Sequence, residues 1–344
     1  MAAARRVFSV VQRAPHHATR SGYHQLAEWL AKYGAMPLWT HPFPRRGTWR
    51  LAGPFVRRAG LAWYGPEAFL TELWAAAAAA WSGGIVHFLY GENSYRYAAV
   101  VPRGRGSRLV ATLHLPPGVF HEYVQCSQHL ERLDAVVLVA RNQLEIIDRL
   151  KFKPTAHVIP HGVDLECFRP PDAAMRQKRC LFVGQWLRDF ECLAAVVEAV
   201  HRAAPRVRFT LVLPRELMPD WIGRPGVDAR SGLDDAALLR AYQESALLVM
   251  PLRDCTANNA VLEAMACGLP IVASEVGGIR DYVDGNCARL VPAGKPEAMA
   301  EVVLDLMQDP ATLRAMGQAG RTRAEGFGWP RVARQMLAVY EGLA

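Results

Sequence analysis

The 344-residue sequence lacks an apolar run that is long and uninterrupted enough to cross a membrane. The nearest candidate, residues 68–90, contains Glu72, is broken at Ser82-Gly83-Gly84 and gains little transfer energy from its six consecutive alanines. We therefore predict an alanine-rich helix that leads into a short buried strand. The first eleven residues hold too few apolar side chains for a signal-peptide core, so we expect a cytoplasmic location.

The seven cysteines lack the spacing of a metal or redox site. They include no Cys-x-x-Cys pair and have no histidine-rich partner spacing, which disfavours a zinc site and a disulfide framework. No Gly-x-Gly-x-x-Gly follows a predicted strand, which disfavours an NAD-dependent dehydrogenase. No carboxylate triad or Asp-x-Asp pair lies at a predicted strand end. We therefore predict that neither a cofactor nor a metal is required.

Acidic residues are scarce in the first half of the chain. Residues 1–164 hold 19 Lys and Arg against 10 Asp and Glu, whereas residues 165–344 hold 21 against 22. The basic excess is concentrated in Arg45, Arg46, Arg50, Arg57, Arg58, Arg103, Arg105 and Arg108. It indicates either an anionic partner, such as a membrane surface or a phosphorylated lipid, or a solvated basic face. Nucleic acid is disfavoured as a partner, because no recognised binding motif accompanies the charge.

Short β-branched runs alternate with helical patterns in the first half, which is typical of βαβ units and a parallel sheet. The predicted strands are Val7–Val11, Ile85–Leu89, Leu109–Leu113, Ala135–Val139 and His157–Ile159. The predicted helices are Tyr23–Tyr33, Ala68–Trp81, Glu122–Leu130 and Arg141–Leu150. Residues 36–65 show no readable pattern. A polar, proline-containing stretch begins at residue 160, and we place the end of a first domain at residue 164.

The same alternation resumes in the second half. The predicted strands are Cys180–Val183, Arg208–Leu213, Leu247–Met250, Ile271–Ala273 and Ala288–Leu290. The predicted helices are Glu191–Ala203, Asp235–Glu244, Asn259–Ala266, Pro296–Met307, Ala311–Arg323 and Pro330–Leu343. We assign residues 165–329 to a second domain.

The segment from residue 248 to 283 contains the clearest candidate for a binding site. A strand, a polar loop and a helix beginning at Asn259 form an anion site, because the first amides of a helix are unpaired. Amides near Asn258 and Asn259 are placed to hold a diphosphate. Glu263, one turn inside the helix, is placed to accept hydrogen bonds from ribose hydroxyls. The alternative makes Asn258 a helix N-cap and Glu263 a surface residue.

This segment resembles a known family. Residues 262–274, followed by Gly277-Gly278, resemble the donor-binding segment of the GT-B retaining glycosyltransferases of family 4, also called glycosyl transferases group 1. Residues 158–164 resemble that family's interdomain crossing, although His161 stands where Asn is common. Residues 181–184 resemble the strand and turn that open its nucleotide-binding domain, and Ser21-Gly22 resembles its small-residue N-terminal loop.

The resemblance implies two Rossmann-like domains that face each other across a cleft. The N-terminal domain (1–164) would lie on the acceptor side and the C-terminal domain (165–329) would bind the nucleotide sugar. The helix at 330–344 would pack back on the N-terminal domain. The implied activity is metal-independent, retaining hexosyl transfer to a glycan or lipid-linked acceptor, as in polysaccharide or lipopolysaccharide biosynthesis, with the enzyme cytoplasmic or peripheral at the membrane. The alternatives are a nucleotide-sugar 2-epimerase of the same fold and a non-catalytic nucleotide-binding partner subunit.

The sequence departs from the family pattern at two positions. The family places a glutamate that engages the transferred sugar eight positions before the residue matched by Glu263, and Cys255 stands there. Either Asp254 replaces it or recognition of the sugar differs. The family also has basic residues soon after the glycine matched by Gly184, whereas Arg188 is the nearest cation here. We predict that Arg188 binds the diphosphate; the alternative is an exposed arginine at a helix start.

The resemblance therefore assigns a set of site residues. The donor would be bound by Gly22, Gly184, Arg188, Cys255, Asn258, Asn259 and Glu263. His114, Arg188 and Asp254 are the predicted catalytic residues, with His114 and Glu92 on the acceptor side. For His114 a structural role in its loop is the alternative.

Overall fold

The computed structural model describes residues 6–12, 20–40, 46–102, 104, 106–171 and 175–343, with the side chains of 46–51 excepted. The chain divides into two compact units. The first comprises Gly22–His161 and Trp329–Ala344 together with Met1–His17, and the second comprises Gly162–Gly328 together with Ala18–Ser21. Arg45, Arg103 and Arg105 lie outside the described residues, as do the side chains of Arg46 and Arg50. In the described ranges no helix combines the length and the apolarity that a membrane span requires.

The first unit is built on a six-stranded sheet in the order β2-β1-β3-β4-β5-β6, and all of its pairings are parallel. Its strands are β1 (Val7–Val11), β2 (Met36–Trp39), β3 (Ile85–Phe88), β4 (Arg108–Leu113), β5 (Ala135–Leu138) and β6 (Thr155–Val158). Every side chain of β3 and β5 is buried, as expected for a parallel sheet covered on both faces.

The helices α1 to α6 belong to this unit. They are α1 (Gln25–Ala31), α2 (Arg46–Arg58), α3 (Pro66–Ser82), α4 (Gly91–Ser94), α5 (Pro117–Tyr123) and α6 (Leu144–Asp148). The start and the end of α3 follow from its sequence. Pro66 fits the first helical position because its missing N–H has no intrahelical acceptor there. Gly83 ends the helix in the left-handed conformation, at φ 67°.

The second unit contains a six-stranded parallel sheet in the order β12-β11-β10-β7-β8-β9. Its strands are β7 (Arg179–Val183), β8 (Arg208–Val212), β9 (Val227–Arg230), β10 (Leu247–Met250), β11 (Ile271–Glu275) and β12 (Ala288–Pro292). Its helices are α7 (Phe190–Ala203), α8 (Asp235–Glu244), α9 (Asn259–Ala266), α10 (Ile279–Tyr282), α11 (Pro296–Gln308) and α12 (Pro310–Ala324). This is the strand order of a Rossmann fold, and its strand order reverses between β7 and β10.

The last helix, α13 (Trp329–Gly342), packs against α1 within the first unit. Trp329, Val332 and Met336 on it are buried. The Tyr340 hydroxyl forms a 2.6 Å hydrogen bond with Nδ1 of His87 in β3. The chain thus contributes its last helix to the core of the unit in which it began.

The predicted α/β fold with two parallel sheets is confirmed, and the predicted bounds of β10, α8 and α9 match the structure. The predicted helix Glu122–Leu130 is wrong. Pro117 starts α5 earlier, and the chain is extended at Val124, where it forms an isolated bridge with Leu61. The short 3-10 helix Gln128–Arg132 follows.

Other elements are absent from the sequence prediction. Strand β2 and helix α2 occupy the stretch that showed no readable pattern, and α2 contains Pro54 in its interior. Proline removes a backbone donor and disfavours a helix, so the sequence signal for α2 is weak. Strand β9 and the single-turn α10 were also missed.

Candidate functional site

Arg188 lies at the carboxyl edge of the second sheet, where the strand order reverses. Strand β7 ends at Val183 and turns at Gly184, which adopts φ 93°. Arg188 then forms a bridge with Leu252, the second residue after β10. Ligands of open α/β sheets bind beyond the carboxyl ends of the strands at this point. The location is therefore the one expected for a bound nucleotide.

The guanidinium of Arg188 is partly buried and contacts only neutral acceptors. Nε donates to the carbonyl of Val183 (3.2 Å), Nη1 to that of Trp186 (2.9 Å) and Nη2 to Oδ1 of Asn258 (3.3 Å). None of the ion pairs in the described part of the chain includes Arg188. Burial lowers its pKa to about 10, so it remains charged at neutral pH. A partly buried guanidinium that has no carboxylate partner favours the binding of an anion.

Asn258 joins this arginine to the start of α9. It is the N-cap residue of the helix, and its Oδ1 accepts a hydrogen bond from the backbone N–H of Val261 (3.4 Å). The N-cap role foreseen as an alternative is thus present. The same oxygen meets Arg188. The positive end of the α9 dipole and the guanidinium therefore both contribute positive potential at the same place, which favours the binding of an anion.

Glu263 is buried, and both oxygens of its carboxylate accept hydrogen bonds from hydroxyl groups. Ser21 Oγ donates to Oε1 (2.6 Å) and the Tyr242 hydroxyl donates to Oε2 (2.7 Å). Asn259 Nδ2 lies 3.4 Å from the same Ser21 oxygen. Burial raises the pKa of Glu263 to about 7. The alternative of a surface helix residue is therefore wrong for Glu263.

Sequence reasoning missed both hydroxyl partners of Glu263. In the sequence Ser21 is recognisable only as a small residue of the N-terminal loop, and no pattern marks Tyr242. Their separations from Glu263, 242 and 21 positions, carry no periodic signal. Neither contact could be found without the tertiary structure.

Asp254 and Cys255 lie in a tightly packed loop after β10. The carbonyl of Cys255 accepts from the N–H of Gly278 (2.8 Å), and Asp254 Oδ1 accepts from the N–H of Cys255 (2.7 Å). Gly277 has φ 49°, and a Cβ there would lie 2.0 Å from the Cys255 carbonyl oxygen, so the loop requires glycine at this position. Burial raises the pKa of the Cys255 thiol to about 12 and also raises that of Asp254.

In the first unit, Glu92 holds the loop that carries His114. The strand order of this unit reverses between β1 and β3, and Glu92 follows β3 closely. Its buried Oε1 accepts from the backbone N–H groups of His114 and Leu115. His114 Nε2 bonds to the carbonyl of Leu89 (2.8 Å), so this nitrogen carries the proton because a carbonyl can only accept. Burial lowers the pKa of His114, which keeps the ring neutral.

Aromatic rings surround His114. The ring of Tyr90 stacks on that of His114 with the ring centroids 4.8 Å apart, and the ring of Tyr23 contacts it edge-on with the centroids 4.6 Å apart. Tyr23 also contacts His161 (5.1 Å) and Trp329 (5.8 Å). Gly22, which precedes Tyr23, adopts φ 106° and is buried. His114 is a site residue predicted from the sequence, but its aromatic surroundings, Tyr23 and Tyr90, are not indicated by any sequence pattern.

The described residues contain no group of three or more His, Cys, Asp or Glu side chains that could hold a metal ion.

The predicted site residues form two groups, one in each unit. Around Glu263 and α9 the second unit gathers Gly184, Arg188, Asp254, Cys255, Asn258, Asn259 and Glu263. The first unit holds Gly22, Glu92 and His114.

Comparison with known proteins finds a family model that matches most of the second unit. Residues 177–309 match the family model described as glycosyl transferases group 1. A D-inositol 3-phosphate glycosyltransferase of Segniliparus rotundus is 35% identical over 53% of this chain, a match that spans about half (46%) of the relative's length. D-inositol 3-phosphate glycosyltransferase 1 of Catenulispora acidiphila is 28% identical over 74% of this chain and 70% of its own.

The fold is shared with a solved structure over nearly the whole chain. Sucrose-phosphate synthase from Thermosynechococcus elongatus superposes with a TM-score of 0.71 at 19% identity, covering 98% of this chain and 99% of that one. Together these findings confirm the GT-B fold class and the family resemblance of the sequence.

Proposed function

Because residues 177–309 match the family model of glycosyl transferases group 1, we propose that the chain transfers a sugar from a nucleotide-sugar donor to an acceptor hydroxyl. The observation that carries this proposal is the environment of Arg188. A guanidinium that meets only neutral acceptors, beside the start of α9, has the charge and position to bind a diphosphate.

The diphosphate is the leaving group of the transfer, and negative charge develops on it as the glycosidic bond breaks. Arg188 and the first amides of α9 stabilise that charge from fixed positions, which is the most effective form of electrostatic catalysis. This supports a reaction without a metal ion, since the cationic groups of the protein take the role of one. We further propose that transfer proceeds with retention at the anomeric carbon.

Glu263 supplies the ribose contact in this proposal. An ionised carboxylate has about four lone-pair sites, and the Ser21 and Tyr242 hydroxyls use two of them. The remaining sites are available to ribose hydroxyls, which are donors of the same kind. Asp254, partly exposed beside Cys255, is proposed to contact the transferred sugar in place of the family's glutamate.

On the first unit, His114 is proposed to contact the acceptor, and Glu92 acts as its positioning residue. The carboxylate of Glu92 fixes the backbone of His114 and Leu115, and through it the imidazole. The relatives named D-inositol 3-phosphate glycosyltransferases support a hydroxyl-rich acceptor. We propose a glycan, a lipid-linked sugar or a phosphorylated polyol.

The test is a nucleotide panel of UDP, GDP, ADP and CMP in a thermal-shift assay, followed by calorimetry. A ligand that binds only the folded state raises the apparent melting temperature. Arg188→Gln should weaken binding of the preferred nucleoside diphosphate by roughly a hundredfold, equivalent to about 3 kcal/mol for a charge-assisted bidentate contact. Arg202→Gln, an exposed arginine on α7, is the control and should bind normally. Binding of no nucleotide, or equal binding by both variants, would refute the proposal.

A second candidate function rests on Cys255. A buried thiol with a raised pKa cannot accept hydrogen bonds from a sugar as a carboxylate does. The chain would then be a nucleotide-binding partner subunit without turnover. Nucleotide binding without product formation across a donor panel supports this candidate, and turnover by the wild type excludes it.

A further inference from the structure

Helix α3 is mostly apolar after its first turn. Between residues 68 and 82 the one charged residue is Glu72, and it is fully buried. Tyr64 and the backbone N–H groups of residues 96–98 donate hydrogen bonds to its carboxylate. The side of α3 that faces the core consists of Ala68, Phe69, Glu72, Ala75, Ala76 and Ala79. A surface helix of a globular protein normally shows several charged residues on its opposite side, whereas α3 has one there, Glu67 in its first turn.

Two tryptophans occupy that opposite side. Trp74 is 57% exposed and Trp81 is 96% exposed. They are seven residues apart, which is close to two helical turns, and the exposed Ala77 lies between them. We call Trp74, Ala77 and Trp81 the tryptophan face. Exposed apolar patches of this kind on a folded protein mark an interaction surface.

The sequence segment that contains the tryptophan face is strongly basic. Residues 1–110 hold 14 Lys and Arg against four Asp and Glu. Two of those four acids, Glu72 and Glu92, are buried. Only Glu28 and Glu67 of this segment therefore contribute negative charge to the surface.

Some of these arginines are close to α3. Arg57 and Arg58 are exposed at the end of α2, which packs on α3 through the stacked rings of Phe55 and Phe69, 4.8 Å apart. Arg6 is exposed at the start of β1, and its carbonyl accepts from the N–H of Ile85, four residues after Trp81.

Gly104 is in close contact with the end of α3. A Cβ on Gly104 would lie 1.9 Å from the carbonyl oxygen of Ala80 in the last turn of the helix. Exposed arginines of the described residues thus lie on the elements next to α3: Arg57 and Arg58 at the end of α2, and Arg6 beside the strand that follows α3.

We propose that the tryptophan face is the surface by which the first unit adsorbs to an anionic lipid bilayer. Indole rings favour the headgroup region of a bilayer, where their apolar body and N–H group are both accommodated. Exposed arginines next to them gain from the negative surface potential of anionic lipids. A second copy of this chain is a poorer occupant, because its own basic residues would approach those of the first. This inference extends beyond sugar transfer and does not depend on it.

The test is co-sedimentation of the full chain with phosphatidylcholine vesicles, with and without phosphatidylglycerol. Binding should require the anionic lipid and should weaken between about 0.1 M and about 1 M salt, over which the Debye length falls from about 10 Å to about 3 Å. The double variant Trp74→Ala, Trp81→Ala should lower the partition coefficient by roughly tenfold or more. Phe152→Ala, which removes a 63% exposed aromatic ring elsewhere in the unit, is the matched control and should bind as the wild type does.

A second readout does not depend on the stability of the double variant. Lipids brominated near the headgroup should quench wild-type tryptophan fluorescence, and Trp81→Phe should reduce that quenching. The proposal is overturned if the wild type ignores anionic vesicles or if the double variant binds them equally well. It is also overturned if size-exclusion chromatography without lipid shows a dimer that Trp81→Ala dissociates, since the face would then bind a second copy.

Discussion

Ser21 Oγ donates a 2.6 Å hydrogen bond to Glu263 Oε1, which brings together two residues that are 242 positions apart in the chain. Tyr242 donates to the other carboxylate oxygen, so Glu263 is surrounded by hydroxyl donors in a buried site. A ribose offers the same donors. The two hydroxyl donors explain how a carboxylate inside α9 can remain buried.

Glu263→Gln should weaken nucleotide binding. The substitution keeps the size and the helix propensity but replaces charge-assisted hydrogen bonds with neutral ones, which differ by about 1.5–3 kcal/mol, or roughly tenfold or more in affinity. Calorimetry with the preferred nucleoside diphosphate measures the change. Glu275→Gln, which affects an exposed carboxylate paired with Arg280, serves as the control. Unchanged affinity in Glu263→Gln would remove this residue from the nucleotide site.

Nucleotide affinity should depend on pH through Glu263. Burial raises its pKa to about 7, so between about pH 8 and about pH 6 the carboxylate changes from mostly ionised to mostly protonated. The protonated form is a weaker acceptor, and we expect affinity to fall as the pH falls through 7. The nucleotide's own ionisation contributes in the same range, and Glu263→Gln isolates that contribution because it cannot titrate. Identical pH profiles for the two proteins would contradict the prediction.

Asp254→Asn should lower turnover more than it lowers binding of the nucleoside diphosphate. If Asp254 contacts the transferred sugar, its charge acts on the reacting ring and not on the diphosphate or the ribose. The measurement is a comparison of kcat with the calorimetric Kd of the diphosphate. Equal losses in both quantities, or a loss in neither, would show that Asp254 does not replace the family's glutamate. Asp189→Asn, at the N-cap of α7, is a matched carboxylate for comparison.

Two buried histidines of the first unit should each lower its stability in mild acid. Burial lowers the pKa of His87 and that of His129 from 6.5 to about 3. Between these values the unfolded chain binds more protons than the folded chain, so stability that is complete above pH 6.5 is lost as the pH falls. Each residue should cost about 2 kcal/mol on going from about pH 7 to about pH 5.

Urea unfolding at the two pH values measures this loss. His87→Gln keeps hydrogen-bonding groups but does not titrate, so its acid-induced loss should be smaller by the contribution of one histidine. His121→Gln, at an exposed position, should behave like the wild type. Burial raises the pKa of Glu72 in the same unit to about 7, which stabilises the folded state as the pH falls and opposes the histidines, so the comparison with His87→Gln is the test. An acid-induced change in His87→Gln equal to that of the wild type would refute the account.

Truncation after Gly328 should destabilise the first unit. It removes α13, whose buried side chains are Trp329, Val332, Ala333, Met336, Val339 and Tyr340. Burial of each large apolar side chain contributes about 1.5–3 kcal/mol, so the loss approaches the whole stability of an ordinary domain, about 5–15 kcal/mol. Calorimetric melting should lose the transition of the first unit, and transfer should be abolished, while nucleotide still binds weakly.

The milder variant Tyr340→Phe tests the same contact without removing the helix. It leaves His87 Nδ1 without its hydroxyl partner, which should cost about 1–3 kcal/mol. A truncated protein with normal turnover and an unchanged melting profile would mean that α13 does not stabilise the first unit.

Local sequence patterns were sufficient to predict the fold class and many of the strands and helices of the second unit. The bounds of α8 and α9 follow from local signals, since Asp234 and Asn258 cap the first amides of these helices and such caps are visible in the sequence. β10 is a continuous apolar run, the usual pattern of a buried parallel strand. The block after β10 also carried the family resemblance, and with it Arg188 and Glu263 as candidates. In α2, where Pro54 stands inside the helix, the sequence pattern did not predict a helix.

Contacts between distant parts of the chain required the folded structure. Three features arise only when folding brings remote segments together. They are the hydrogen bond between Ser21 and Glu263, the burial of Glu263, and the hydrogen bond between His87 and Tyr340. The same holds for the tryptophan face. The residue spacing in α3 places Trp74 and Trp81 on one side, but an apolar helix can bury any side, and only its packing against the sheet leaves that one in solvent.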